Sequence, residues 1–103
     1  MTPPVSEFDW DDGNRAKCQQ HGVSPVEVEG LFGRPLLVIP DEAHSQDERR
    51  LRAIGKTARG RSVFLVFTVR ERDGKRLIRP ITARYMHRKE VMSYEKENPD
   101  LQE

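Results

Sequence analysis

Apolar positions along this chain change their spacing several times, and each change marks an element. Phe8, Asp9 and Trp10 alternate apolar and polar, as a short strand does. Asp11 or Asp12 then offers an N-cap for a helix running to His21, and Gly22 closes it by supplying the positive φ that other residues avoid. Ser24 and Pro25 provide the N-cap and first-turn proline of a second helix. In it Val28, Leu31 and Phe32 recur at i, i+3 and i+4 before Gly33 stops it. The two helices form a unit with one apolar stripe to lay against a flat surface.

After Pro35 the pattern becomes that of strands. Residues 36–39 are apolar throughout and predict a short strand, and 40–47 is a polar loop holding His44. Leu51, Ala53 and Gly55 alternate with Arg50, Arg52 and Ile54, and 57–61 turns through Gly60 into the most apolar run, 62–69, the predicted central strand. Asp73-Gly74 between two extended segments is a strong hairpin signal and leads to a strand over 76–84. Pro80 has no N–H to give to a ladder, so that strand is expected at the sheet edge or bulged. Residues 88–98 are helical in composition and Pro99 ends them. The fold class that follows is α+β: a short N-terminal strand, two helices packed on a mainly antiparallel sheet, and a C-terminal helix. Residues 1–7, with Pro3 and Pro4, are expected to be a flexible lead-in, 8–98 a single domain, and 99–103 a tail.

Composition narrows the class. With 103 residues, 35% apolar and 34% charged, there is one economical core and a large charged surface. The longest apolar run falls well short of the roughly 20 residues that cross a bilayer, and the N-terminus shows no basic segment followed by an apolar one. The expectation is a cytoplasmic protein with no membrane partner. Cys18 stands alone, which forbids an internal disulfide and suggests a helix residue rather than a nucleophile. No His/Cys cluster is present, so neither a metal nor a cofactor is expected.

The net charge of +1 conceals a segregation. Residues 1–48 carry three Lys/Arg against ten Asp/Glu, whereas 49–89 carry fourteen against two, a net +12. Such a block is the electrostatic footprint of a surface for phosphate backbone or for an acidic partner, with salt-sensitive affinity. The plainer reading is an arginine-rich sheet edge that blocks aggregation.

Three groups of residues carry a resemblance. The first is Phe8-Asp9-Trp10-Asp11-Asp12-Gly13-Asn14 with Lys17 and His21-Gly22-Val23-Ser24. The second is His44-Ser45, Glu48-Arg49, Ile54-Gly55 and Gly60-Arg61. The third is Arg79-Pro80-Ile81-Thr82-Ala83-Arg84, with Thr82 for a more usual Ser, followed by Lys89, Glu90 and Tyr94. Together, over about nine-tenths of the chain, they resemble the BrnT toxins. The resemblance implies a RelE-like fold, cleavage of RNA, a cognate ribbon-helix-helix antitoxin that neutralises the toxin, and DNA met indirectly through the antitoxin complex. The alternative is a non-catalytic nucleic-acid-binding or antitoxin-binding module.

Metal-independent RNA cleavage moves a proton from the ribose 2′-OH while charge builds on phosphate oxygens, so it needs a base, a cation clamp and an acid. Arginine suits the clamp because its planar fork bonds two oxygens and keeps its charge. Arg84, at a strand end, and Arg61, at the mouth of the central strand, are the expected phosphate pair, each weighed against a surface ion pair. Arg79 lies five residues from Arg84, on the opposite face unless Pro80 marks a bulge. For proton transfer His44 and Glu48 are the candidates, against a backbone hydrogen bond for His44 and an ion pair with Arg49 or Arg52 for Glu48. His21 reads as a helix C-terminal cation. His87 and Lys89 join Arg79 as RNA-binding candidates. Tyr85, beside Arg84, is expected to stack an unpaired base, whereas Trp10 and Tyr94 read as packing residues.

Overall fold

The computed structural model describes residues 7–41 and 49–97. In chain order these form β1 (Glu7–Phe8), α1 (Asp12–Gln20), α2 (Pro25–Leu31), β2 (Leu36–Pro40), β3 (Arg50–Lys56), β4 (Ser62–Arg72), β5 (Lys75–Tyr85) and α3 (Arg88–Glu97). The sheet runs β1-β5-β4-β3-β2. Its pairings are antiparallel except for β1, which lies parallel to β5 through Glu7↔Leu77 and Phe8↔Ile78. The α+β class is as the pattern predicts, and the arrangement is compatible with a RelE-like fold.

Local chemistry explains the boundaries. Asp11 accepts from the Asn14 amide while the Asn14 side chain accepts from Asp11 N–H, a reciprocal cap that starts α1. Ser24 and Glu27 make the same exchange at α2, with Pro25 in the first turn. His21 is the C-cap of α1, and Gly22 follows with φ +83°. At the β4–β5 hairpin Asp73 and Gly74 both take positive φ, 54° and 76°, the mirror-image turn whose twist matches the strands.

One face of the sheet carries the core. Val63, Leu65 and Phe67 of β4, flanked by Ala53, Ala83 and Ile78, meet Cys18, Val23, Val28 and Leu31 from the helical unit. Phe8, Phe32 and Phe67 pack edge to face at 5.5 and 5.3 Å, each pair contributing about 1 kcal/mol beyond the area it buries. Cys18 is fully buried and its thiol is pushed up by that burial, consistent with a packing role. Trp10 packs against the same cluster and donates its indole N–H to Glu29 at 2.9 Å.

The register of β5 decides what the other face carries. Val66 pairs with Thr82 but Phe67 pairs with Pro80, so Ile81 is an extra residue. Of the two expectations for Pro80, the bulge is the one realised; β5 is interior, between β1 and β4. Pro80 is buried, and its carbonyl accepts from the Asn14 side-chain amide at 2.8 Å, which also donates to the Asp9 carbonyl at 2.9 Å. Asn14 thus ties the helix to the irregularity. Because of the bulge, Arg79 opposite Thr68 and Arg84 opposite Phe64 point to the same side of the sheet.

Candidate active site

That side, away from α1 and α2, collects the basic residues. Strand alternation places Arg52 of β3, Arg70 and Arg72 of β4, and Arg79 and Arg84 of β5 on it, with Thr68 and Thr82 between them. α3 lies across one end, tied by Lys56–Glu95 at 3.1 Å and by Arg84–Glu90, and none of its own residues is buried.

At the β1 end, Asp9 faces three guanidinium groups, those of Arg70, Arg79 and Arg72, at 3.5, 3.6 and 3.8 Å. Arg79 also bonds Asp11 at 2.7 Å. The Asn14 amide first and Arg79 second hold the Asp11 carboxyl below its usual range. Among the described residues, Asp9 Oδ2, Arg52 Nε and Thr68 Oγ1 are buried without a hydrogen-bond partner. Arg52 Nε and Thr68 Oγ1 left so cost about 1–3 kcal/mol each, whereas the Asp9 charge is offset by the three guanidinium groups around it.

Toward the other end, Arg84 grips Glu90 through both nitrogens at 2.9 Å, with its guanidinium 5.0 Å from the Phe64 ring centroid. Glu90 also accepts from the His87 amide at 3.0 Å. The Arg84 hydrogen bonds and then the His87 amide hold the Glu90 carboxyl down to about 2. Arg84 and Glu90 side chains remain 40% and 32% exposed, so the fork is within reach of a competing anion.

Arg61 is elsewhere. Its guanidinium sits 3.6 Å from the centroid of the Tyr85 ring, and the Tyr85 hydroxyl donates to Glu27 of α2 at 2.8 Å. This group lies on the helix side, since Tyr85 is opposite Val63 and follows Arg84 by one residue. The structure therefore does not bring Arg61 and Arg84 together. Nor is the Tyr85 ring bare: one face carries Arg61 and its hydroxyl is occupied, its proton held by the Glu27 hydrogen bond that raises its pKa. Glu27, despite opposing burial, is held low by Tyr85 and Ser24.

Of the remaining candidates, His87 and Lys89 are exposed at the start of α3, where the His87 amide donates to Glu90, the partner of Arg84. His44 and Glu48 lie outside the described residues; the flanks of their segment, Asp41 and Arg50, are joined by a 2.9 Å backbone hydrogen bond beside the Arg50–Thr68–Arg79 row. Sequence reasoning gave no site role to Asp9, Arg52, Thr68, Arg70, Arg72 or Glu90. The i, i+2 spacing of Arg50 with Arg52 and of Arg70 with Arg72 was the available signal for a shared basic face.

Among the described residues, no group of three or more His, Cys, Asp or Glu side chains is placed to hold a metal ion, and no helix is long and apolar enough to cross a membrane. A search of curated proteins found no match. The chain does match a family profile, that of the ribonuclease toxin, BrnT, of type II toxin–antitoxin systems, over residues 10–90. The match spans both the helical unit that braces β5 and the sheet face that gathers the arginines. The protein belongs to the BrnT family and is an endoribonuclease toxin, with RNA as its substrate and an antitoxin as its partner.

Proposed function

We propose that RNA is cleaved without a metal ion on the arginine-bearing face of the sheet, with Arg84 as the phosphate clamp. The observation that carries this reading is the placement of Arg52, Arg70, Arg72, Arg79 and Arg84 on the one face that α1 and α2 leave uncovered. Arg84 bonds a carboxylate through both nitrogens, and a phosphate offers the same pair of oxygens. RNA displaces Glu90 from the fork, and the guanidinium then neutralises the charge that grows on the phosphate as the neighbouring 2′-OH attacks and the 5′-oxygen leaves. Arg79, His87 and Lys89 extend the basic track on either side. Arg61 and Tyr85, which lie on the helix side, brace α2 against β4 and β5 in this reading. His44 and Glu48, on the segment joining β2 to β3, are the candidates to take the 2′-OH proton.

A ribbon-helix-helix antitoxin neutralises the toxin by covering this face, and through it the complex meets DNA. An acidic cover suits the +12 charge of residues 49–89. The cytoplasm, where its RNA substrate lies, is the place of action.

Partner-free protein incubated with RNA in EDTA tests the reading. Cleavage that persists in EDTA and falls at least 100-fold in Arg84→Ala supports it. Cleavage that needs added magnesium overturns the metal-free mechanism. RNA that is bound but left whole under both conditions points to a non-catalytic binding module.

A further inference from the structure

Beneath α3, next to the Arg84 fork, lies a cavity of about 200 Å³. Its walls come from Ile54, Ser62, Met86, Val91 and Tyr94, with Ala58 at the β3–β4 turn. We propose that it is a nucleobase subsite, which takes the base of the nucleotide whose phosphate Arg84 holds. The inference rests on the phosphate role proposed for Arg84 and adds to it a means of choosing the RNA sequence.

Three observations converge. The first is size: the volume is below the roughly 300–1,000 Å³ typical of sites for drug-sized ligands, which suits a single ring system. The second is chemistry. Ile54, Met86 and Val91 offer apolar surface to the faces of a ring, Tyr94 offers an aromatic one, Ser62 offers a hydroxyl to its edge, and the Glu95 carboxylate in the same lining is neutralised by Lys56 at 3.1 Å. Unpaired RNA bases are recognised in this way, by stacking and by hydrogen bonds to the ring edge. The third is position. Met86 lies two residues beyond Arg84 on the same side of the strand, about 7 Å along it, and its amide extends the ladder to the Ser62 carbonyl at 3.0 Å. Val91 follows Glu90 directly. A nucleotide anchored by its phosphate at Arg84 reaches this distance with its base. The hollow at the opposite end, lined by Asp11, Asp12, Lys17 and Arg79 with Pro80 and Ile81, offers no aromatic face to a base.

Binding of the four nucleoside 3′-monophosphates, with ribose 5-phosphate and inorganic phosphate as controls, tests the site by calorimetry and by the NMR methyl signals of Ile54, Met86 and Val91. At least one nucleotide should bind tenfold or more tighter than ribose 5-phosphate and shift those methyls. Ala58→Trp, at an exposed turn position, should fill the mouth, remove that margin, leave inorganic phosphate affinity within twofold, and flatten the base preference of RNA cleavage. Nucleotides that bind no tighter than ribose 5-phosphate overturn the proposal, as does a margin that survives in a folded Ala58→Trp variant. Methyls that respond to the antitoxin and not to any nucleotide give the cavity to the partner instead. RNA cleavage by the same preparation separates the two readings: cleavage with no base margin removes the subsite alone, whereas absence of both cleavage and phosphate binding removes the proposed face.

Discussion

Replacing Asn14 by alanine should weaken the fold far more than a nine-residue helix with modest packing suggests. The side chain is 5% exposed and makes three hydrogen bonds: to the Pro80 carbonyl at 2.8 Å, to the Asp9 carbonyl at 2.9 Å, and from the Asp11 amide at 2.7 Å. A hydrogen bond contributes about 1 kcal/mol net, and a buried acceptor stranded by truncation costs about 1–3 kcal/mol. Pro80 is buried, so its carbonyl incurs the larger figure, while alanine recovers roughly 0.6 kcal/mol of helix propensity. The balance is a loss of about 2.5–4.5 kcal/mol. For a domain of this size that is a fall of roughly 10–20 °C in Tm. Thermal and urea unfolding followed by circular dichroism measure it. Asn14→Asp separates cap from bulge: the carboxylate still accepts from the Asp11 amide but donates nothing to Pro80, so it should recover less than half the loss. A fall below about 3 °C for Asn14→Ala, or an Asn14→Asp protein as stable as the wild type, would refute the idea that Asn14 holds the bulge in place.

Four more expectations follow from the polar and charged groups. Glu90→Gln leaves a weaker partner on Arg84, so RNA affinity should rise about threefold or more in filter binding, and a loss of affinity would make Glu90 a positioning group instead. The Glu90 carboxyl is held at about 2, below its ordinary 4.5, so its stabilising effect is complete above pH 4.5 and is lost as pH falls through 2. Because the pair is substantially exposed, that effect is under about 1 kcal/mol; urea melts of wild type and Glu90→Gln should differ by a constant from pH 5 to 8 and converge near pH 2. Four arginine–phosphate contacts give a salt slope near −2.8 for single-stranded RNA, so raising salt from 50 to 200 mM should weaken binding roughly 50-fold, and a change under fivefold would contradict a phosphate track. Tyr85→Phe removes the hydroxyl bonded to Glu27 and should cost about 1 kcal/mol in urea unfolding with RNA affinity unchanged.

Much of this architecture is written in short-range chemistry. Both helix starts are legible because their caps are local, as is the Asp73-Gly74 turn, whose two positive φ values any sequence reading anticipates. The parallel pairing of β1 is not, because two residues carry no period and their partner lies some 70 positions away. Pro80 announces an irregularity without saying which kind; the choice depends on Asn14, which reaches it from 66 residues earlier. The same limit governs the site. Arg84 and Tyr85 are neighbours in the chain, yet strand alternation sends them to opposite faces, so reading them as one surface fails even though Arg84 sits where its motif places it. Asp9 and Glu90 stand in the motifs without a role, because a carboxylate beside an arginine cluster acquires one only once the cluster is assembled.

Ile81 also bears on how such a toxin can change its length. Deleting one codon there would remove the one residue of β5 that stands outside the pairing with β4 at this point, leaving Thr82 opposite Val66, Pro80 opposite Phe67 and Arg79 opposite Thr68. Arg79 and Arg84 would then be four residues apart and still on one face. The cost would fall on the local bend of the strand and on the Pro80 carbonyl that Asn14 holds. A frame-preserving deletion at this position is therefore a quiet change: a chain shortened by that residue should keep its arginine face, and with it the surface offered to RNA and to the antitoxin.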